Sequence, residues 1–354
     1  MNGTPRVVVG LDNGGTSINA TVLDAGTTAA GGLDTTGYDS GGRFLVDRLV
    51  ETPSHVLDGP DVAVQALVEA LNNVLELTET PRAAVRAVGL DTPGPASPYG
   101  VISSRGATNF SAPAWRGFDF RGALEAQLGL PVVYNNDGNA AALYAHHRLY
   151  GPAAAQRSSV SAIVGTGLGG GVIESGAVVR GAAGMAGELG HVHVPMAGLL
   201  AQDQPVPECN CGSVGDAESV ASLTGIAKNL LPYWLTRFPE HPLAGMELSA
   251  AAKAVRGYGE RGDPLAREIF TQQAMAIGRL FTIAANFTDP DAYFVGGGVV
   301  ETEPEFREWF LATIREHTTL REEQGSLAHF SLVPDRDMAG ARGAAIAARE
   351  TLKV

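Results

Sequence analysis

Cysteine and positive charge are both scarce in this chain. Cys209 and Cys211 are its only cysteines, which excludes a disulfide framework and makes a cytoplasmic setting the expectation. Lysines and arginines number 25 against 38 acidic residues, so 25 − 38 leaves −13. That balance disfavours nucleic acid or an anionic membrane surface as a principal partner. No apolar run approaches the roughly 20 residues that a bilayer span needs. A basic stretch leading into an apolar core is also missing near Met1, so no secretory leader is expected. Lysine is the rarer cation, three against twenty-two arginines, which reads as genome composition rather than function. What remains is globular: 354 residues, 45% hydrophobic and 18% charged, enough apolar material for two domains.

The stretch that organises the chain runs from Gly165 to Val194. Its opening, Gly165-Thr166-Gly167-Leu168-Gly169-Gly170, matches the GxGxxG spelling of a dinucleotide turn. That fingerprint needs a helix straight after the glycines, to aim its N-terminus at a pyrophosphate. Here Val172-Ile173, Glu174-Ser175-Gly176 and Ala177-Val178-Val179 read as strand, turn and strand, so a Rossmann site is disfavoured. A phosphate-cradling hairpin followed by a polar trio, Glu188, His191 and His193, is the alternative. Residues 6–24 have the same plan: Arg6 to Leu11 as a strand, Asp12-Asn13-Gly14-Gly15-Thr16 as a turn, and Ile18 to Asp24 as a second strand. An ordinary Asn-Gly hairpin explains that turn equally well. The repetition hints at two copies of one α/β unit.

Residues 25–58 lack periodicity and read as a long connection or an irregular pair of strands. Val64, Leu67, Val68, Leu71, Val74 and Leu75 recur at helical spacing, and Val85 to Leu90 reads as a buried strand ending in Asp91-Thr92-Pro93-Gly94-Pro95. Residues 101–120, with Asn109, Trp115 and Phe118, look like a packed surface loop, with a functional loop as the alternative reading. A helix near 120–129 precedes the strand Pro131 to Tyr134 and an alanine-rich helix to about Leu149. Asp137 falls between that strand and helix. It could be a plain helix N-cap, or a carboxylate kept ionised there as a base. The cluster Asn136, Asp137 and Asn139 favours a site, because ligands gather at strand exits in α/β folds. Further on, helices are predicted at 216–230, 248–260, 263–288, 303–318 and 339–351, and strands at 159–164, 292–295 and 328–333. Gly296-Gly297-Gly298 follows the strand at 292–295.

Cys209-Asn210-Cys211-Gly212 could give two ligands to zinc, with His191 or His193 as a third and Asp216 as a fourth. Buried small apolar cysteines are the competing reading. His193 would alternate with His191 along a strand.

Together these segments resemble the ROK family (repressor, open reading frame, kinase), in particular its sugar-kinase branch. The matching stretches are Asp12–Thr16, Asn136–Ala141, Gly165–Gly171, Gly184–His191, Cys209–Gly215 and Gly296–Val299, in the family's order and across nearly the whole chain. The resemblance implies an α/β, actin-like ATPase and ribonuclease-H-like two-domain fold, a duplicated βββαβα unit with ATP and sugar in a cleft. The expected domains are a small one of residues 1–118 plus 339–354 and a large one of 119–338. Asp137 resembles the general base that takes the sugar hydroxyl proton. Asn109, Asn136, Glu188, His191 and Glu218 resemble sugar-binding residues. Asp12, Gly14, Gly15, Thr16, Thr166 and Gly167 resemble the turns that hold phosphate and Mg²⁺, and Gly297 and Gly298 the adenosine wall. The family's zinc set is one histidine and three cysteines; here Asp216 holds the third cysteine position, and retention of zinc through His191, Cys209, Cys211 and Asp216 is expected. Ser17 stands where the family often has lysine.

The implied activity is ATP-dependent phosphorylation of a hexose, with the 6-hydroxyl of glucose favoured. Mannose, fructose, N-acetylated hexosamines and amino sugars stay open. A homodimer or homotetramer is expected. Two rivals are disfavoured. A ROK repressor carries a helix-turn-helix ahead of the first glycine turn, which here begins at Asp12. A sugar sensor without catalysis would not need Asp137 and both phosphate turns.

Overall fold

The computed structural model describes residues 6–25, 42–94, 96–103, 110 and 112–353. Two sheets with the same strand order form its frame. The first contains β1 (Val7–Asn13), β2 (Ser17–Asp24), β3 (Arg43–Phe44), β4 (Glu51–Pro53), β5 (Val85–Thr92) and β6 (Val132–Asn136). Its order is β3-β2-β1-β5-β6, with β4 pairing to β2. β1 runs antiparallel to β2 and parallel to β5, and β5 parallel to β6. β1 is central and covered on both faces, which is why it reads as an unbroken Val-Val-Val run rather than an alternation.

α1 (Pro60–Leu77) carries Ala63, Val64, Leu67, Ala70, Leu71 and Val74 on one buried stripe against this sheet, and proline at its first position suits a helix start. α2 (Phe120–Leu128) and α3 (Asp137–Tyr150) follow. The last helix, α11 (Arg336–Glu350), lies against β1, β2, β5 and α3. Its approach explains two glycines inside strands. Gly10 and Gly89 are register partners, and a Cβ at either would overlap the carbonyl oxygen of Ala341 or Ala344. Only glycine lets the α11 backbone lie directly on the strands.

The second sheet contains β7 (Ser159–Val164), β8 (Leu168–Glu174), β9 (Ala177–Val178), β10 (Ala292–Gly296) and β11 (His329–Leu332), in the order β11-β10-β7-β8-β9. Matching β7 to β1, β8 to β2, β9 to β3, β10 to β5 and β11 to β6 reproduces the first sheet. The duplicated actin-like plan is therefore present, and the glycine turns Asn13–Thr16 and Gly165–Gly167 occupy the same hairpin in each copy.

The chain divides into two compact units: residues 1–157, 171–187 and 333–354, and residues 158–170 and 188–332. The division differs from the expected boundary at 118/119. β6 extends the first sheet beside β5, and α3 packs on α11, so the segment through residue 157 stays with the first unit.

Three local expectations change. The helix expected at 216–230 is broken into α4 (Glu218–Ala221), α5 (Leu223–Gly225), a wide turn (Ile226–Leu230) and α6 (Leu231–Arg237). Ser222 is extended, and its side chain caps α5 by accepting from the Gly225 N–H. His191 and His193 do not alternate on a strand; His191 closes a short 3₁₀ turn, and His193 makes a single bridge to Asp216. Trp115 is fully buried in the core, edge-on to Phe110 and Phe120, with its indole N–H donating to Val56 O at 2.9 Å. Burial of this aromatic knot, rather than surface packing, accounts for that stretch. The reading of 25–58 as a connection with irregular strands stands for its described part, where β3 and β4 both pair with β2; residues 26–41 lie outside the described residues. The remaining helices are α7 (Leu248–Glu260), α8 (Pro264–Thr288), α9 (Pro304–Glu316) and α10 (Glu322–Leu327). Among the described residues no helix is long and apolar enough to cross a membrane.

Candidate active site

In the first unit the turn between β1 and β2 closes through the Gly14 N–H to Ser17 O at 2.9 Å. Gly15 is half-buried and Thr16 exposed, with the Thr16 carbonyl accepting from the Ser54 N–H at 3.0 Å. Ser17, in the place of a lysine, donates from its hydroxyl to Glu51 at 3.1 Å. Just before the turn, four polar residues fall in one register row across β2, β1, β5 and β6: Asn19, Asp12, Asp91 and Asn135. Paired residues in adjacent strands present their side chains to the same face, here the face that α11 covers. Asp12 Oδ2 lies 2.6 Å from where a Gly340 side chain would begin, so glycine is needed there.

Burial pushes the Asp12 carboxyl up, against the lowering influence of Asp91 and Asn19. Asp91 is pushed up further, by burial first and then by the Asp12 and Asp137 carboxylates. It is fully buried, and no donor other than the neighbouring Asp12 carboxyl is at hand for either of its oxygens. The two carboxyls approach each other closely enough to share one proton, and only such a proton or a cation could relieve them.

β6 delivers Asn136 and Asp137 to the start of α3. The helix cap is Asn136, not Asp137: its side chain accepts from the N–H groups of Gly138 at 2.9 Å and Asn139 at 3.4 Å. Asn136 holds an extended backbone, and Asp137 is thereby the first helical residue. Asp137 is exposed, and its Oδ1 accepts from the Gly138 N–H at 2.7 Å. A helix N-terminus favours a carboxylate in its ionised form, the form that can accept a proton. Gly94, in the exit of β5, packs so that a side chain would begin 2.9 Å from Asn136 Nδ2. Arg180 donates to Asn135 Oδ1 at 3.4 Å and brings a cation to the same strand end. Asn109 lies outside the described residues.

In the second unit, the Gly165 N–H donates to Gly167 O at 2.9 Å to close the other turn. The start of α5 braces it: the Leu223 N–H reaches Gly165 O at 3.0 Å, and the Thr224 hydroxyl reaches Thr166 O at 2.8 Å. The break in the expected helix serves this contact. A cavity of about 280 Å³ opens beside the turn, lined by Gly165, Thr166, Gly298, Lys253, Arg256 and apolar neighbours such as Phe270. Gly297 has a φ of 84°, and a Cβ there would overlap the Val164 backbone, while Arg256 fixes the next residue by donating to Gly298 O at 2.7 Å. An apolar hollow with two cations and a glycine turn at its edge suits a base and sugar with phosphate beyond.

Glu218 ties this turn to the polar cluster. Its Oε2 accepts from the Leu168 N–H at 2.8 Å, and its Oε1 accepts from the Cys209 thiol at 3.4 Å. Glu188 is half-buried, and burial raises its carboxyl, with Glu218 adding to the rise and His191 opposing it. Among the described residues, His191, Cys209, Cys211 and Asp216 bring one ligand atom each within 4.8 Å of one another. His191 Nδ1 is 3.4 Å from Asp216 Oδ2 and 3.9 Å from Cys209 Sγ, and Cys211 Sγ is 3.7 Å from Asp216 Oδ2. Tetrahedral zinc with these ligand types separates its donors by about 3.3–3.8 Å, close to the three separations above, and the donor types suit the ion. Burial works against a charged His191, but the Asp216 carboxylate and Glu218 outweigh it and hold the ring above its ordinary value. Burial likewise pushes the Cys209 thiol well up, so a coordinated cation is what would make it a thiolate.

Asp91, Gly94, Arg180, Lys253 and Arg256 were not among the expected site residues. Asp91-Thr92-Pro93-Gly94-Pro95 stood out in the sequence only as a turn-rich strand exit; an acidic residue at the end of a buried strand was the available signal.

The sequence model of the ROK family matches residues 8–351. A glucokinase of Halalkalibacterium halodurans is 31% identical over 320 residues, covering 88% of this chain and 85% of its own. The crystal structure of a ROK hexokinase from Thermus thermophilus superposes with a TM-score of 0.72 at 31% identity, over 98% of this chain and 99% of that one. A ROK family glucokinase from Streptomyces griseus, crystallised in complex with glucose and AMPPNP, gives 0.64 at 29% identity, over 97% and 99%.

Proposed function

The chain belongs to the ROK family, and from that premise we propose that it is an ATP-dependent hexose kinase whose favoured acceptor is the 6-hydroxyl of glucose. The observation that carries the proposal is the pair of glycine turns at the same hairpin of two equivalent sheets, one beside the Asp12 and Asp91 carboxyls and the other beside a largely apolar cavity. Phosphoryl transfer rests mainly on positioning and charge stabilisation, and these parts supply both. In this reading the backbone of Gly14, Gly15 and Thr16 and of Thr166 and Gly167 cradles the polyphosphate. The adenosine lies against Gly297 and Gly298. Asp12 is the residue that would hold Mg²⁺, which supplies charge neutralisation when bound.

Asp137 takes the proton from the attacking hydroxyl. Asn109, Asn136, Glu188, His191 and Glu218 orient the sugar hydroxyls, and a pocket built to satisfy hydroxyls rejects analogues without them. His191, Cys209, Cys211 and Asp216 would hold a structural Zn²⁺ that fixes the loop carrying Glu218. A cytoplasmic homodimer or homotetramer completes the reading.

A panel of hexoses and N-acetylated hexosamines with ATP and Mg²⁺, with the product identified by NMR, tests the proposal. Phosphorylation at the 6-position of glucose is expected, and no ATP-dependent phosphorylation of any sugar would overturn it. Asp137→Asn should fold, still bind sugar and lose on the order of 10²–10⁴ in kcat. Near-normal turnover would remove Asp137 from the role.

A further inference from the structure

We propose that Asp91 is a second carboxylate ligand for a divalent cation, held together with Asp12 at the shared end of β1 and β5. The inference rests on the kinase reading for the cation's purpose, but the binding site stands on geometry alone. Asp12 and Asp91 are register partners in adjacent parallel strands, so both carboxyls project from the same face at the same height. The row continues to Asn19 on one side and Asn135 on the other.

Three members of this row carry polar atoms without a hydrogen-bond partner. They are both oxygens of the fully buried Asp91, the side-chain oxygen of Asn19, and Nδ2 of Asn135, a residue only 4% exposed. Buried polar groups in native proteins are nearly always paired, and a run of unpaired ones at a strand exit points to a ligand. The available ligand atoms are hard: two carboxylates and one amide oxygen, with no sulfur or imidazole in the row. Such a set suits Mg²⁺ or Mn²⁺, which take one or two carboxylates and complete their shell with water and phosphate. It contrasts with the thiol-bearing cluster at Cys209 and Cys211, which suits zinc. Asn135 Nδ2 is a donor and is no ligand for the cation, and its Oδ1 already accepts from Arg180. Asp91 thus adds a negative ligand at a place where the sequence shows only the end of a strand.

The test is Mn²⁺ binding to zinc-loaded protein, followed by the electron paramagnetic resonance of free Mn²⁺, with and without AMPPNP. Wild type and Asp91→Asn are compared, with Asp91→Ser as a second variant should the first not fold. We expect Mn²⁺ affinity to fall at least tenfold in the variant under both conditions, with zinc content unchanged. Equal affinity in wild type and variant would overturn the proposal and leave Asp91 as a partner sharing a proton with Asp12. Wild-type protein that binds no Mn²⁺ would overturn it as well. Sugar-dependent ADP release from the wild type is measured separately. If it is absent while the variant still loses Mn²⁺, the cation site holds and the kinase reading fails.

Discussion

At the scale of single residues, the site depends on side chains that satisfy backbone groups. Glu218 is the clearest case, because its carboxylate accepts from the Leu168 N–H where the second glycine turn runs into β8. Glu218→Ala should strand that N–H and lower stability by about 1–3 kcal/mol, measured by chemical denaturation. Glu218→Gln keeps an acceptor and should retain most of that stability. The KM for ATP should rise in the alanine variant more than in the glutamine one, because the turn that Glu218 braces is the proposed phosphate cradle. Asn136 and Asp137 show how neighbouring residues divide the work. Asn136 caps α3 and leaves the Asp137 carboxylate exposed at the first helical position. The sequence placed both at a strand exit, but which one caps depends on the backbone angles at residue 136.

At the scale of elements, α11 is decisive. It lies on β1 and β5 only because Gly10 and Gly89 leave room for its carbonyls. Gly89→Ala should destabilise the protein by at least about 2 kcal/mol, since backbone rather than a flexible side chain must move. An unchanged denaturation midpoint would contradict that packing.

The burial of His147, on α3 beside the β8–β9 hairpin, should set a pH dependence. Burial first, then the positive charges of Arg349 and His146, depress His147 to about 4, and its Nε2 lies 3.2 Å from Gly176 O. The unfolded chain takes up the proton near 6.5 and the folded one does not. The stability held above pH 6.5 is therefore lost as pH falls toward 4, by roughly 3 kcal/mol in total. His147→Gln should flatten that slope in denaturation curves measured across pH 4–7.

The helix expected at 216–230 was legible as apolar periodicity. Its break at Ser222 was not, because the break is stabilised by contacts from Leu223 and Thr224 to the distant Gly165 and Thr166.

At the scale of the whole chain, the internal duplication organises both chemistry and stability. Each copy has one glycine hairpin, and the second copy adds the thiol loop. Chelation of the protein should lower its melting temperature and remove about one equivalent of zinc, as expected for a closed structural site. Asp216→Cys supplies the softer ligand and should slow zinc loss in a chelator time course. Full thermal stability after metal removal would show that the loop holds itself.

The sequence by itself determined most of the strands and helices and their order, the two glycine turns, the residue types of the candidate zinc set, and the family. These are local or pairwise signals: periodicity, turn chemistry and ligand type. That His191 rather than His193 joins Cys209, Cys211 and Asp216 was settled by the fold. Only the tertiary structure decided that Asp91 faces Asp12, that Gly10 and Gly89 admit α11, and that Glu218 braces Leu168. Each of those depends on register between strands or on contact between segments tens to hundreds of residues apart. A one-residue shift of β5 against β1 would turn Asp91 to the opposite face together with Gly89, and it is the fit of Gly10 and Gly89 under the distant α11 that holds the register seen.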